Sequence, residues 1–160
     1  MKTDQSKRMS SLKPLALLLV LALLLASFTP VSAKSKPVRV KAIAGWVDTK
    51  VWVEAGQRVS IKAKGIARTA PVKTHPKSKS GPAGQTWGLG CSLHAAAPQP
   101  CALNGAPYGA LVGRIGSGAP FLIGASKTFI ASSSGYLRLA VNDNLIFYND
   151  NKGGFSIQFK

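Results

Sequence analysis

Residues 136–159 contain two copies of the tripeptide Asn-Asp-Asn between two segments in which apolar residues alternate with other residues. The copies occupy residues 142–144 and 149–151. The alternating apolar residues before and after them are Leu137, Leu139, Val141, Phe155, Ile157 and Phe159. Because successive side chains of a strand point to opposite faces, each segment has one apolar face. The pattern therefore predicts two strands joined by a short polar excursion.

Six Asn or Asp side chains make this excursion a dense source of oxygen atoms. Hard cations such as calcium bind six to eight oxygen ligands from carboxylates, amides and backbone carbonyls. The chain has only five acidic residues against 21 basic ones, and two of the five, Asp143 and Asp150, are here. We therefore expect a calcium site, which is not an EF-hand because the glycine and glutamate of that loop are missing. The alternative is that these residues only form turns.

The first 33 residues have the three-part organisation of a secretory signal peptide. Basic residues come first, residues 15–26 are apolar, and Val31-Ser32-Ala33 is a small-residue cleavage site. The apolar run is about a dozen residues long, whereas a membrane-spanning helix requires about 20. We therefore expect cleavage after Ala33 and export to the periplasm or the medium, with no further membrane span. Retention of the leader as an anchor is the alternative.

The chain after residue 33 has 127 residues, the size of a single domain, and a net charge of +13. Such a charge favours anionic partners, including acidic polysaccharides. The basic residues are scattered, and neither a basic helix nor the aromatic motif of RNA-binding domains is present. We therefore expect no nucleic-acid partner. The alternative to a binding role is that the charge only keeps an exported protein soluble.

Cys91 and Cys101 are the two cysteines of the chain. An isolated pair in an exported protein is expected to form a disulfide. The alternative is a zinc site that adds His94 and His75, although the Cys-x-x-His spacing is a weak signal for zinc.

Short alternating segments separated by turn residues continue through the chain, and no helical period is present. The further segments are residues 38–44, 46–53, 58–63, 107–116, 121–124 and 127–130. About eight short strands predict an all-β sandwich. We expect residues 34–45 to form an N-terminal strand or linker and residues 46–160 to form the domain. Residues 66–106 have no sustained period, which is typical of a functional or partly disordered loop.

Enzyme signatures are missing from the sequence. It contains no Gly-x-Ser-x-Gly elbow, no phosphate-binding loop and no His-Glu-x-x-His motif. Asp143 and Asp150 could be proposed as the acid pair of a glycosidase, but a metal or a turn explains them more simply. We therefore expect a protein that is not an enzyme.

Several of these segments, taken together, resemble the bacterial PA-I galactophilic lectin family. They are residues 108–116 (Tyr-Gly-Ala-Leu-Val-Gly-Arg-Ile-Gly), Gly135-x-Leu-x-Leu and the two Asn-Asp-Asn copies. The resemblance implies a jelly-roll-like β-sandwich of two antiparallel sheets, of the galactose-binding-domain type. It also implies one calcium ion that joins the protein to a sugar, usually galactose, through two vicinal hydroxyls.

The same resemblance implies which residues form the site. The metal ligands would be Asp143, Asp150 and Asn151 through their side chains, and Phe147 and Thr69 through their carbonyls. The sugar-binding residues would be Asp143, Asp150, Asn151 and Trp87. The chain departs from the family where Gln85-Thr86-Trp87-Gly88 replaces a His-Pro-x-Gln segment. Trp87 could stack on a sugar or, alternatively, only anchor its loop.

These observations predict a calcium-dependent carbohydrate-binding protein, or lectin, for galactose or a related sugar. The alternative is an exported structural or adhesive β-sandwich that binds anionic polysaccharide through its basic surface without metal. The choice of sugar and the formation of a homo-oligomer remain open at this point.

Overall fold

The structure is a computed structural model that describes residues 36–71, 73, 75–86, 91 and 100–160. The expected signal peptide and its cleavage site lie outside these residues. Within them, no helix has the length and apolar character needed to cross a membrane.

The described residues form nine β-strands and two single-turn 3-10 helices, at Ala42–Ala44 and Tyr148–Asp150. The strands are β1 Val38–Lys41, β2 Val47–Val53, β3 Arg58–Arg68, β4 Lys79–Ser80, β5 Leu111–Ile115, β6 Phe121–Leu122, β7 Ser126–Ile130, β8 Gly135–Val141 and β9 Lys152–Phe159. The prediction of an all-β fold is confirmed.

The strands form two antiparallel sheets. The first has the order β1-β9-β3-β4, and β7 pairs with the other half of β3. The second has the order β2-β8-β5-β6. Strand β1 belongs to the first sheet through its pairing with β9, so residues 38–41 are part of the sandwich.

The core lies between the two sheets. All six apolar residues that alternate around the Asn-Asp-Asn copies are buried in it. They pack with inward-facing residues of β3, such as Val59 and Ile61, and with Leu111 of β5. Burial of these apolar side chains is the main stabilising contribution to a sandwich of this kind.

Strand β3 continues through Gly65 to Arg68, whereas the sequence pattern predicts its end at this glycine. Gly65 has a φ of +126°, and a β-carbon there would lie 2.5 Å from the carbonyl oxygen of Gly154 on β9. Because both strands have glycine here, their backbones approach closely and the pairing continues to Arg68 and Lys152. This extension carries the end of β3 to the start of β9.

Residues 100–106 lie across the outer side of the second sheet. Ala102 packs with Val112 of β5 and Ala140 of β8, and Trp46 and Leu103 complete this smaller cluster. The second sheet is therefore covered on its outer face at the end from which β8 leads into the first Asn-Asp-Asn copy.

The close approach at Gly65 predicts that Gly65→Ala destabilises the fold more than Gly56→Ala does. Both positions have positive φ, but nothing lies within 4 Å of a β-carbon at Gly56. The control should lose on the order of 1 kcal/mol for the backbone conformation alone, and Gly65→Ala should lose clearly more because of the overlap with Gly154. Chemical denaturation of the two variants measures the difference, and equal losses would contradict this account of the β3–β9 contact.

Candidate metal and ligand site

Three strand ends meet at one end of the sandwich. Strand β8 leads into Asn142 and Asp143, and β9 begins directly after Asn151. Arg68 pairs with Lys152 at the last position of the β3–β9 ladder, so Thr69 and Asn151 occupy the next position. Elements of both sheets therefore bring the predicted ligand residues to the same end of the fold.

Asn142 is fully buried and fastens residues 103–107 to the end of β8. Its Oδ1 accepts a hydrogen bond of 2.8 Å from the backbone N–H of Leu103. Its Nδ2 donates to the carbonyls of Leu103, Ala106 and Pro107 over 3.1 to 3.2 Å. The first residue of the motif is therefore a structural residue that sets the position of Asp143.

The remainder of the first copy combines turn formation with one unpaired carboxylate oxygen. Asp143 Oδ1 accepts the N–H of Asn144 at 2.8 Å, and Asn144 Oδ1 accepts the N–H of Ile146 at 3.1 Å. The backbone N–H of Phe147 then donates to the Asn144 carbonyl at 3.0 Å. Asn144 therefore forms a turn, as the alternative interpretation proposed, while Asp143 keeps its second oxygen for another partner.

A disulfide supports this loop from the side. Cys91 and Cys101 are bonded, with their Cα atoms 6.1 Å apart, which confirms the predicted disulfide. Cys101 forms a β-bridge with Asn144, and the N–H of Ala102 donates to the Asp143 carbonyl at 3.2 Å. The zinc alternative has no thiolate ligand, since both sulfur atoms are in the disulfide.

Three buried side-chain oxygens at this end have no hydrogen-bond partner among the described residues. They are Asp143 Oδ2, Asp150 Oδ1 and Asn151 Oδ1, and they make up half of the six such atoms found. Asp143 and Asn151 are each only 3% exposed. A buried polar atom without a partner costs about 1–3 kcal/mol, and more when charged, so its presence calls for an ion or a water molecule.

The electrostatics favour a cation at these oxygens. The pKa of Asp143 is raised to about 6. Burial is the main cause and the negative charge of Asp150 adds to it, whereas the Asn144 N–H and the nearby Asn151 amide lower the pKa. The side-chain Nδ2 of Asn151 donates a hydrogen bond of 3.2 Å to the carbonyl of Ala42. In the part of the chain that the structure describes, the one ion pair, Lys50–Asp48, involves neither Asp143 nor Asp150.

The phenol of Tyr148 is also affected by its burial and by the charge of Asp143. Burial, followed by the negative charge of Asp143, raises the pKa of its phenol. The hydroxyl therefore stays protonated and donates a hydrogen bond of 2.8 Å to the carbonyl of Val141. This bond ties the second half of the loop to the end of β8.

Two backbone carbonyls complete the predicted ligand set. The side chain of Phe147 is exposed, and its carbonyl accepts the N–H of Asp150 at 3.3 Å, which leaves a second lone pair. Thr69 is buried, its hydroxyl accepts a hydrogen bond from Gln85 at 3.1 Å, and its N–H donates to Ser78. The backbone carbonyl of Thr69 is therefore the group that could bind a metal ion.

The sugar-binding prediction for Trp87 falls outside the described residues. Gln85 lies within them, and its side chain also donates to the carbonyl of Ser78 at 3.1 Å. An oxygen that the sequence did not single out is Ser80 Oγ, which is buried and has no partner among the described residues. It lies over Gly109, next to Thr69. Ser80 belongs to the aperiodic region, where no sequence pattern marks it.

The donor set distinguishes among metals. Across residues 36–71, 73, 75–86, 91 and 100–160, no three His, Cys, Asp or Glu side chains form a cluster that could hold a metal. The candidate ligands that the sequence predicts are instead two carboxylates, an amide oxygen and two backbone carbonyls. These donors fit calcium, a hard cation that binds oxygen, and they do not fit zinc.

A search of solved structures finds the same fold in a domain described as "EclA N-terminal domain; PllA-like lectin". The match has a TM-score of 0.59 and 24% sequence identity, and it covers 78% of this chain and 94% of that domain. No family model and no curated protein matches the chain. At this identity the likeness shows the fold, a β-sandwich like that of a PllA-like lectin domain.

The contacts of Asn142 predict that Asn142→Ala destabilises the protein by about 2–4 kcal/mol, because buried backbone groups lose their partners. Asn149→Ala is the matched control, since Asn149 is exposed in the second copy of the motif. Its effect should stay within about 0.5 kcal/mol. Urea unfolding measures both variants, and a small effect at Asn142 would show that the amide does not hold the loop.

Proposed function

We propose that this protein binds carbohydrate through calcium, with galactose or a related sugar as the ligand. The side chains of Asp143, Asp150 and Asn151 and the carbonyls of Phe147 and Thr69 would hold the ion. The observation that carries the proposal is the burial of three side-chain oxygens without partners at one end of the sandwich. They are the three side-chain ligands that the sequence resemblance implies.

The site favours calcium over magnesium because of the kind of oxygen that it offers. Magnesium retains several waters and takes one or two carboxylates, whereas calcium accepts irregular sets of carboxylate, amide and carbonyl oxygens. When bound, calcium would neutralise both carboxylates and offer coordination positions to the hydroxyls of a sugar. The protein's own part is to hold the oxygens in place through the Asn142 contacts and the disulfide-bonded segment.

The surface next to these oxygens suits a sugar. Leu145, Ile146 and Phe147 are all exposed at the tip of the same loop. A pyranose presents polar hydroxyls at its edge and an apolar face of C–H groups, so hydroxyls at the metal and an apolar face at the tip could be bound together. The lectin description of the structural neighbour supports carbohydrate as the class of ligand.

Binding, not catalysis, is the role that we propose for the two carboxylates, since both lie in the oxygen set that would hold the ion. The disulfide is typical of oxidising compartments. It supports the proposal that residues 1–33 direct export.

The metal assignment predicts that calcium binds the chelator-treated protein with a stoichiometry of one and that Asp143→Asn abolishes this binding. Calcium at 100 times its Kd should raise the free energy of unfolding of the native protein by about 2.7 kcal/mol. Asp48→Asn is the matched control, because Asp48 pairs with Lys50 away from the site. Calorimetric titration and thermal unfolding measure both effects.

Asp143→Asn also separates a binding defect from a folding defect. The substitution removes a buried charge, so without metal the variant should be at least as stable as the native protein. Unchanged calcium affinity in this variant would overturn the ligand assignment. Loss of stability without metal would instead indicate that Asp143 has a structural role.

The sugar assignment predicts that galactose releases or absorbs heat on binding only when calcium is present. Methyl galactoside should bind like galactose, and methyl 3-deoxygalactoside should not. Methylation at carbon 1 leaves only two vicinal hydroxyl pairs, and both include the hydroxyl at carbon 3. Titration of each sugar with calcium and with chelator measures this. Calcium binding without galactose binding would keep the metal site and exclude galactose as its ligand.

A further inference from the structure

The outer face of the second sheet carries a group of arginine and aromatic side chains. Because Leu137 and Leu139 of β8 point into the core, Tyr136 and Arg138 point outward. Strand pairing places Arg114 of β5 opposite Arg138, and Trp52 of β2 opposite Tyr136. We call this surface the arginine–aromatic face and define it by Trp46, Trp52, Arg114, Tyr136 and Arg138.

The two arginines lie directly opposite each other, and neither forms a salt bridge among the described residues. Like charges directly opposite on neighbouring strands are destabilising. The Nε atoms of Arg114 and Arg138 are buried and have no hydrogen-bond partner among the described residues. Asp48 lies opposite Arg138. Its two oxygens accept hydrogen bonds of 2.8 and 3.2 Å from the backbone and side chain of Lys50, so Asp48 interacts with Arg138 through its charge and not through a hydrogen bond.

The aromatic residues hold this face in a defined arrangement. The guanidinium of Arg114 lies 4.4 Å from the ring centroid of Trp46, a cation–π contact that orients it. The rings of Trp52 and Tyr136 meet edge to face with centroids 5.1 Å apart, and they are 48% and 46% exposed. Two exposed rings beside two guanidinium groups whose Nε atoms lack hydrogen-bond partners form a surface suited to a ligand that is both anionic and partly apolar.

Glu54 fixes the outermost ring. The indole N–H of Trp52 donates to Glu54 Oε1 at 2.6 Å, and the other carboxylate oxygen accepts the hydroxyl of Ser134 at 2.8 Å. Since both oxygens of Glu54 are engaged, the ring is held before any ligand arrives. Such preorganisation reduces the entropy that binding costs.

We propose that the arginine–aromatic face is a second binding site, independent of calcium, for an acidic polysaccharide. Arg114 and Arg138 bind the carboxylate or sulfate group of one sugar residue, since guanidinium groups match such oxyanions with paired hydrogen bonds. Trp52 and Tyr136 contact the apolar face of a neighbouring sugar residue.

The geometry favours a chain over a free anion as the occupant. Tyr136 and Arg138 are two residues apart on β8, roughly 7 Å, so a ligand must extend beyond one charged group to contact both. The net charge of +16 attracts polyanions to the whole molecule. Arg138 lies five residues before Asp143, roughly 17 Å along the strand direction, so this face is separate from the candidate calcium site.

The test uses a hexamer of galacturonic acid and its fully methyl-esterified form, both titrated into the protein in the presence of chelator. The ester keeps the sugar rings and removes the charge, and the chelator keeps calcium out of the other site. The acid hexamer should bind and the ester should bind much more weakly. Equal binding of the two forms would overturn the proposal, whatever the result of the calcium experiments.

Variants then distinguish this face from a diffuse positive field. Arg114→Gln with Arg138→Gln should weaken binding of the acid hexamer by at least about tenfold, the loss expected for charge-assisted hydrogen bonds. Lys62→Gln with Lys64→Gln removes the same charge from exposed positions of β3 in the first sheet. This control should stay within about twofold, and equal losses in the two double variants would show only diffuse attraction.

Arg138→Lys and Trp52→Leu keep the proposal testable if the double arginine variant folds poorly. The first keeps the charge but loses the planar fork, and the second loses one aromatic surface. Each should weaken binding of the acid hexamer by several fold while the thermal unfolding midpoint stays near that of the native protein. Unchanged affinity in both variants would overturn the assignment to this face.

Discussion

The hydrogen bonds of one buried amide hold together the end of the sandwich on which the candidate metal site depends. Asn142 satisfies backbone groups of Leu103, Ala106 and Pro107, and so it attaches the disulfide-bonded segment to the end of β8. Without it these groups would lose their partners, and the position of Asp143 would depend only on backbone contacts such as the hydrogen bond from Ala102. Asn142 therefore supports the candidate metal site without being one of its proposed ligands, since its side-chain oxygen accepts the N–H of Leu103.

Unpaired buried atoms mark two places in this fold, and their charges are opposite. A cation would stabilise the three oxygens at the end of the sandwich. An anion would stabilise the two guanidinium Nε atoms on the outer face of the second sheet. Pairing them with each other would remove the cost of both. The sandwich keeps them apart, because Asp143 follows the end of β8 and Arg138 lies in its middle. Both sets of atoms therefore remain without a hydrogen-bond partner among the described residues.

The strand pattern of the fold could be predicted from the sequence because alternation is a local property. The apolar residues around the Asn-Asp-Asn copies are buried as predicted, and the disulfide follows from a single pair of cysteines. The end of β3 could not be predicted. Gly65 interrupts the pattern locally, and only the glycine of β9 on the opposite strand lets the pairing continue to Arg68.

The sequence by itself determined that an oxygen-rich loop joins two alternating strands in a chain poor in acidic residues. Only the tertiary structure decided how its side chains divide: Asn142 holds the neighbouring segment, Asn144 forms a turn, and Asp143, Asp150 and Asn151 keep unpaired oxygens. It likewise placed Thr69 beside Asn151 and Arg114 opposite Arg138. The reason is physical: alternation depends on neighbouring residues, whereas convergence depends on the register between strands that are distant in the chain.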